Sequence, residues 1–447
     1  MAVVSPRSLS RRLAALLTVL ALVGAPALVL RLFCVGRSCN DRAAAASVPF
    51  CPLPSDVRSS IAAGFRSGRS PDVMATTAAT AVVEPPGPGG ASPWPSDATP
   101  DRRVPIAFIG PSVTRGSLPD GMGLDQIAPT VAQVLGYERG HPEVRAGTAV
   151  PLSGTAPPGA IPLVIEIAWL GVGTSDLGTT WPPRTARVVR GQGATTMDGD
   201  AGSLPLDPAA TLTTIGTGGL PFQHGITGSV IRGDTGGAVT AWSDGAPTSV
   251  ISTLPDDLRH SFGDGSRVAL VAPARTDRGL VGSGWYLGAA PGRMILGSGD
   301  PLPAVTHLLN GGFGASDGAP DVLGVVVHGT IDTMDRETQA LLAAVRARVP
   351  GSLVVVAGTG SRTAARADTV APVSARKVAG DIDAALGGAV VAGTVAGGLF
   401  LDPKALDAAD LTADAVVRQM AALTAPGGGP LFSQTFPAFS VAFARYC

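Results

Sequence analysis

The chain has 447 residues, 45% of them hydrophobic and 15% charged, with a formal net charge of −1 at pH 7. That length holds one large domain or two ordinary ones, and the apolar content supports a sizeable core and excludes global disorder. A balanced charge leaves no basic footprint, so nucleic acid is not an expected partner.

Arg7, Arg11 and Arg12 precede LAALLTVLALVGAPALVL at residues 13–30, an uncharged run of 18 residues. This is near the lower limit for a spanning helix and longer than most signal-peptide cores. The preferred reading is a membrane anchor over residues 1–33 with its basic end in the cytoplasm. The alternative is a signal cleaved near Ala25-Pro26-Ala27, and Pro26 equally suits a kink in an uncleaved helix. Either way the remainder is exported. Cys34, Cys39, Cys51 and Cys447 make no CxxC, and no His stands at ligand spacing, which excludes a zinc finger. In an oxidising compartment disulfides are the default, and four cysteines leave three pairings open.

Beyond the anchor, SDVRSSIAAGF at 55–65 reads as a short helix with Ser55 as its N-cap. The Pro/Gly/Ser-rich stretch 83–103 reads as loop rather than core. VPIAFIG at 104–110 is of strand type, and 124–136 has helical periodicity in Ile127, Val131, Val134 and Leu135. Continuous apolar runs at 162–168, 267–272, 322–328, 352–357 and 388–392 suit strands of a sheet covered on both faces. An amphipathic helix at 335–349 joins two of them as a βαβ crossover requires, and later helices are expected at 376–386 and 412–424. The class is α/β.

TLTTIGTGGLPFQHGITGS at 211–229 resembles the alkaline phosphatase superfamily, and within it the phosphodiesterase/nucleotide pyrophosphatase branch. In that family a nucleophilic Thr or Ser precedes a TG turn, a loop and an HGI. PLVIEIAWLGVGTSDL resembles the family's first strand and metal-site turn. SRVALVAPARTDRGLVGSG is similar to a segment carrying Lys-Asp-Arg, and DVLGVVVHGTIDTMD with SLVVVAGTG to the strands that end in the other metal ligands. AGFRSGRSPDV, GGASPWPSD, DRRVPIAFIGPSV and LDQIAPTVAQVLG resemble blocks that close the family's domain, yet here they come first. The resemblance therefore implies one circularly permuted domain over 34–447, with 50–150 equivalent to the family's C-terminal part and 160–447 to the rest. It implies a central, mostly parallel sheet flanked by helices. It also implies that Cys51 pairs with Cys447, leaving Cys34 with Cys39.

The family reaction uses two zinc ions held by Asp and His. Leu170 stands where the first metal Asp is expected, and a leucine cannot ligate zinc. Counting back from Gly218 to the nucleophile reaches Pro208; Thr211, Thr213 and Thr214 are nearby, with Thr211 the candidate a loop shift would recruit. The preferred role of these hydroxyls is to cap a helix or satisfy backbone groups. The paired Asp-His ligands become Gly358-Thr359-Gly360, the last ligand becomes Gly90, and the phosphate-gripping Lys becomes Thr276 while Arg278 persists. None of the five histidines, His141, His224, His260, His307 and His328, falls at a ligand position. His224 is expected to be structural, His328 to be satisfied at a strand end and His141 to be a solvated loop residue.

The expectation is an exported, membrane-tethered pseudoenzyme that binds or scaffolds at the cell envelope, with no cofactor. Its partners would be the membrane, an envelope protein or a small anionic ligand contacted by Arg278. The alternative is an active phosphate- or sulfate-ester hydrolase using zinc, with a site rebuilt from Thr211, Asp176, Asp332, Asp335 and His224 or His328. Against it, Asp332 and Asp335 at a helix start stabilise that helix in any case.

Overall fold

The computed structural model describes residues 50–84, 93–96, 102–152, 156–157, 159–315, 318–361 and 371–447. The expected anchor, Gly90 and the Cys34–Cys39 pairing lie outside them. Residues 49–447 form one compact unit. Among the described residues no helix is long and apolar enough to cross a membrane.

In chain order the framework comprises α1 (Ser55–Gly64), β1 (Val73–Thr77), β2 (Arg103–Ile109), β3 (Gly116–Ser117), α2 (Ile127–Leu135), β4 (Leu163–Trp169), α3 (Pro183–Gln192) and β5 (Gly193–Asp200). It continues with α4 (Pro208–Thr217), α5 (Leu254–Phe262), β6 (Val268–Ala272), β7 (Arg293–Leu296), α6 (Leu302–Asn310), β8 (Asp321–Val327), α7 (Ile331–Arg348) and β9 (Leu353–Gly358). The last elements are α8 (Ala375–Leu386), β10 (Val391–Val395), β11 (Gly398–Leu401), α9 (Ala413–Ala422) and β12 (Phe432–Pro437).

The unbroken apolar runs become the interior of an eight-stranded mixed sheet ordered β7-β6-β8-β4-β9-β2-β5-β3. Strand β2 alone runs against its neighbours, pairing antiparallel with both β9 and β5. Side chains alternate across such a sheet. Leu163, Ile165, Ile167 and Trp169 of β4 face α3, α6 and α7 through Ala186, Val305, Met334 and Leu341. The residues between them face the other side, where Leu280 and Val281 fill the space above Gly324 and α4 lies against the same segment. A carboxylic acid sits on that second face: Glu166, in register with Gly324 of β8 and Val355 of β9. It is 2% exposed, and neither of its oxygens has a hydrogen-bond partner among the described residues.

A second sheet, ordered β10-β11-β1-β12, packs α8 and α9 through Val378, Ile382, Val416 and Met420. Its strand β1 comes from the start of the unit and pairs antiparallel with both β11 and β12 from the end. The bond between Cys51 and Cys447 joins the same two ends, and Phe50 meets Phe436 edge-on at 5.1 Å.

Three sequence expectations need correction. The run 388–392 enters the second sheet as β10 and is half-exposed there rather than buried in the main sheet. Helix α1 is preceded by Pro54, so Ser55 is its first residue and not its cap. The stretch expected to be loop holds buried Val83, whose strand Val83–Glu84 pairs with Val373–Ser374, and buried Trp94, tilted against Phe432 at 5.6 Å.

Candidate functional site

Ligands of open α/β sheets bind beyond the carboxyl ends of the parallel strands. Here that crest is formed by the loops after β4 and β9 and by the start of α4. The Leu170 N–H donates to Val327 O at 2.9 Å, and the leucine side chain is buried. The next residue, Gly171, donates its N–H to the Thr359 hydroxyl at 2.9 Å, which in turn donates to Trp169 O at 3.3 Å. Thr359 is thus spent on stitching two loops together. Gly358 and Gly173 let those loops touch, since a Cβ at either would collide with Val172 O or with the Ser361 N–H. Above them Leu206 covers Gly360, and Asp176 takes the Gly173 N–H at 2.7 Å and the Ser361 hydroxyl at 3.0 Å. Sequence reasoning placed Leu170 and Thr359 at one site, and the structure brings their loops into contact.

Helix α4 begins where the Asp207-Pro208 pair allows it. Asp207 is the N-cap, accepting from the Ala209 N–H at 3.0 Å and the Ser229 hydroxyl at 2.7 Å, and Pro208 occupies the first helical position, where no donor is needed. Every residue of this helix is buried. Buried hydroxyls need acceptors. Thr211, Thr213 and Thr217 each donate to the carbonyl four residues earlier, on Asp207, Ala209 and Thr213. Thr211 is therefore one turn inside a buried helix. At the far end Arg139 and Arg145 both donate to Thr217 O, at 2.7 and 3.2 Å, meeting the negative end of the helix dipole.

His224 closes the HGI turn and is fully buried. Its Nδ1 accepts from the Ile226 N–H at 3.1 Å, which leaves the proton on Nε2, 3.2 Å from the Thr214 hydroxyl. Burial, helped by the nearby Arg66 charge, pushes its pKa down to about 3. The ring is neutral and structural, and it contacts Thr214 rather than Thr211. A threonine nucleophile needs a base within reach; Thr211 hydrogen-bonds only to carbonyls.

The remaining sequence candidates make no hydrogen bond to Thr211 or Thr359 among the described residues. Arg278 turns its Nε back to Gly282 O at 3.2 Å, and burial, with Arg275 beside it, holds its pKa below the usual arginine range. Asp332 is exposed and pairs with Arg184 at 2.8 Å. Asp335 is buried and acts on a different helix, accepting the Arg184 N–H at 3.1 Å and the Thr185 N–H at 2.7 Å. It thus caps α3 from across the packing interface, while α7 itself starts from Thr330. Leaving two buried donors unmatched is costly. Asp335→Ala is expected to lower the unfolding free energy by about 2 kcal/mol, read as an earlier denaturant midpoint at unchanged m value. A midpoint equal to wild type would mean those two N–H groups are satisfied elsewhere. His328 is half-buried at the end of β8, and His141 is an exposed loop residue 3.1 Å from Glu143, as expected.

Sequence reasoning missed a second buried acid at the crest. Asp277 accepts the Ala274 N–H at 3.0 Å, and burial, with the charge of Asp207 nearby, raises its pKa to about 7. It also missed a groove of about 770 Å³ between the Thr174–Leu177 turn and α3, lined by Asp176, Trp181, Arg187, Arg190 and Ile331. Neither Arg187 nor Arg190 makes an ion pair among the described residues, and both are exposed. The signal was present as arginines three apart on one helix face. Among the described residues no three His, Cys, Asp or Glu side chains are grouped so as to hold a metal ion. No protein-family model matches the chain, and no curated protein matches it either.

Proposed function

We propose that this chain is a binding module of the cell envelope, anchored through its N-terminal apolar run. Its frame would be similar to that of the alkaline phosphatase superfamily, with the catalytic centre given up. The commitment of the crest supports this above all else. Thr211, Thr359 and Ser361 each give their hydroxyl to a carbonyl or carboxylate oxygen, Leu206 packs over Gly360, and Leu170 is buried. The union of Cys51 with Cys447 supports the permuted order, because a permuted chain needs its new ends and its old ones side by side.

The ligand is an anion, held in the groove beside α3 by Arg187 and Arg190. Two guanidinium groups without carboxylate partners favour a phosphate-like or carboxylate group, which accepts paired hydrogen bonds.

The test is carried out on the purified full chain. Zinc content by mass spectrometry should be below stoichiometric, and phosphomonoester, phosphodiester and sulfate-ester substrates should not turn over. Inorganic phosphate at about ten times its Kd should stabilise the protein by about 1.4 kcal/mol. That gain should vanish in the Arg187→Ala/Arg190→Ala double variant. Turnover that disappears in Thr211→Ala would instead establish a rebuilt hydrolytic site.

A further inference from the structure

Between β6 and β7 the chain makes a loop, VGSGWYLGAAPG at 281–292, that contains no charged residue. Its tip places large apolar groups in solvent: Trp285 is 45% and Leu287 106% exposed, and Phe262 of neighbouring α5 is 41% exposed. Single exposed apolar side chains are ordinary. This group differs because the tip is braced. The N–H groups of Gly284 and Trp285 donate to Asp256 Oδ1 at 2.9 and 3.3 Å. Tyr286 donates its hydroxyl to Asp257 at 2.9 Å, stacks on His260 at 3.8 Å and meets Trp285 edge-on at 5.0 Å. Gly284 and Gly288, with φ of 79° and 78°, allow the reversal that carries Leu287 outward. A loop held this firmly displays its apolar tip and does not fold it away.

We propose that loop 284–288 dips into the interfacial zone of a lipid bilayer, Leu287 leading and Trp285 and Tyr286 at headgroup level. The folded unit would then touch the membrane at a second point; this rests on the reading of residues 13–30 as an anchor. Aromatic rings with one polar atom settle at the membrane–water boundary, and a leucine prefers the acyl region. Arg259 beside His260 and Arg293 after the loop have no ion-pair partner among the described residues, which suits anionic headgroups. Two or three side chains partition weakly alone. Only the 19 residues 31–49 separate the apolar run from Phe50, so with that run anchored Phe50 could stand no more than about 65 Å from it along the chain. A tether of that length makes even a weak contact persistent, with an effective concentration in the ~millimolar range.

The chain carries its own probe. Of its five tryptophans, Trp94, Trp169, Trp181 and Trp242 are buried and Trp285 is exposed. The full chain is placed in nanodiscs of phosphatidylcholine and phosphatidylglycerol, with plain or shallow-brominated acyl chains. Bromine should quench the emission of Trp285; the quenching should disappear in Trp285→Phe, and in Leu287→Asp if that variant's near-ultraviolet circular dichroism is unchanged. Incorporation with equal emission in both lipids overturns the loop contact and leaves the anchor standing. Failure to incorporate overturns both.

Discussion

Replacing Glu166 with leucine is expected to stabilise the protein, and to do so more strongly as pH rises. At pH 5 the gain should be about 2 kcal/mol, the cost of leaving a neutral polar group buried without partners. Between pH 5 and pH 8 it should grow by on the order of 3 kcal/mol. The reason is the position of the acid on β4, between Gly324 and Val355, where burial raises its pKa from 4.5 to about 8 and the Arg139 charge offsets only part of that rise. In this window the folded state holds a proton that the unfolded chain has released. Stability is therefore fully present below pH 4.5 and is lost as pH rises through 8. Asp125, raised to about 6 by burial, and Asp277, raised to about 7, act with the same sign over narrower windows. His224 acts with the opposite sign, costing stability as pH falls from 6.5 towards 3. The difference between wild type and variant isolates Glu166 from all three. Urea midpoints at pH 5, 6.5 and 8 would measure it, and parallel pH profiles would refute the assignment.

Cys447→Ser should lower stability by about 2–5 kcal/mol, within the chain-entropy limit of about 6 kcal/mol for a loop this long. The bonded residues are 396 positions apart, so the unfolded chain loses much of its freedom when they are joined. For a unit of this size the change corresponds to about 3–6 °C in Tm. The same shift should follow reduction of the wild-type protein, and the reductant should do nothing further to the variant. Equal melting of oxidised wild type and variant would show that other contacts, such as Phe50 against Phe436, already hold the ends.

What was legible in the sequence follows from where the physical signal is local. Strands β4, β6, β8 and β9 are covered on both faces, so their sequences are unbroken apolar runs, and α7 shows its apolar stripe. Strand β5, GATTMDGD, has no such run and is a strand because β2 and β3 pair with it on either side. Helix α4 was hidden in a different way: Thr, Gly and Pro are poor helix formers, and its helicity comes from complete burial and from a cap at Asp207. The Asp-Pro pair was the available sign. At the crest, the substitutions Leu170 and Thr359 were readable, but their bonding partners were not, since Gly171 and Thr359 are 188 positions apart. Asp335 read naturally as stabilising its own helix, and only tertiary packing shows that it caps α3. Glu166 was visible as one acid within an apolar run, which is the pattern that a buried carboxyl leaves.

The Cys51–Cys447 bond also governs what a protease can achieve. It closes the intervening chain into a covalent ring, so one cut anywhere inside the ring leaves a single molecule. Both pieces stay attached to the segment before Cys51, and neither is lost from the molecule. Release of a fragment takes a second cut within the ring or a reductant that opens the bond.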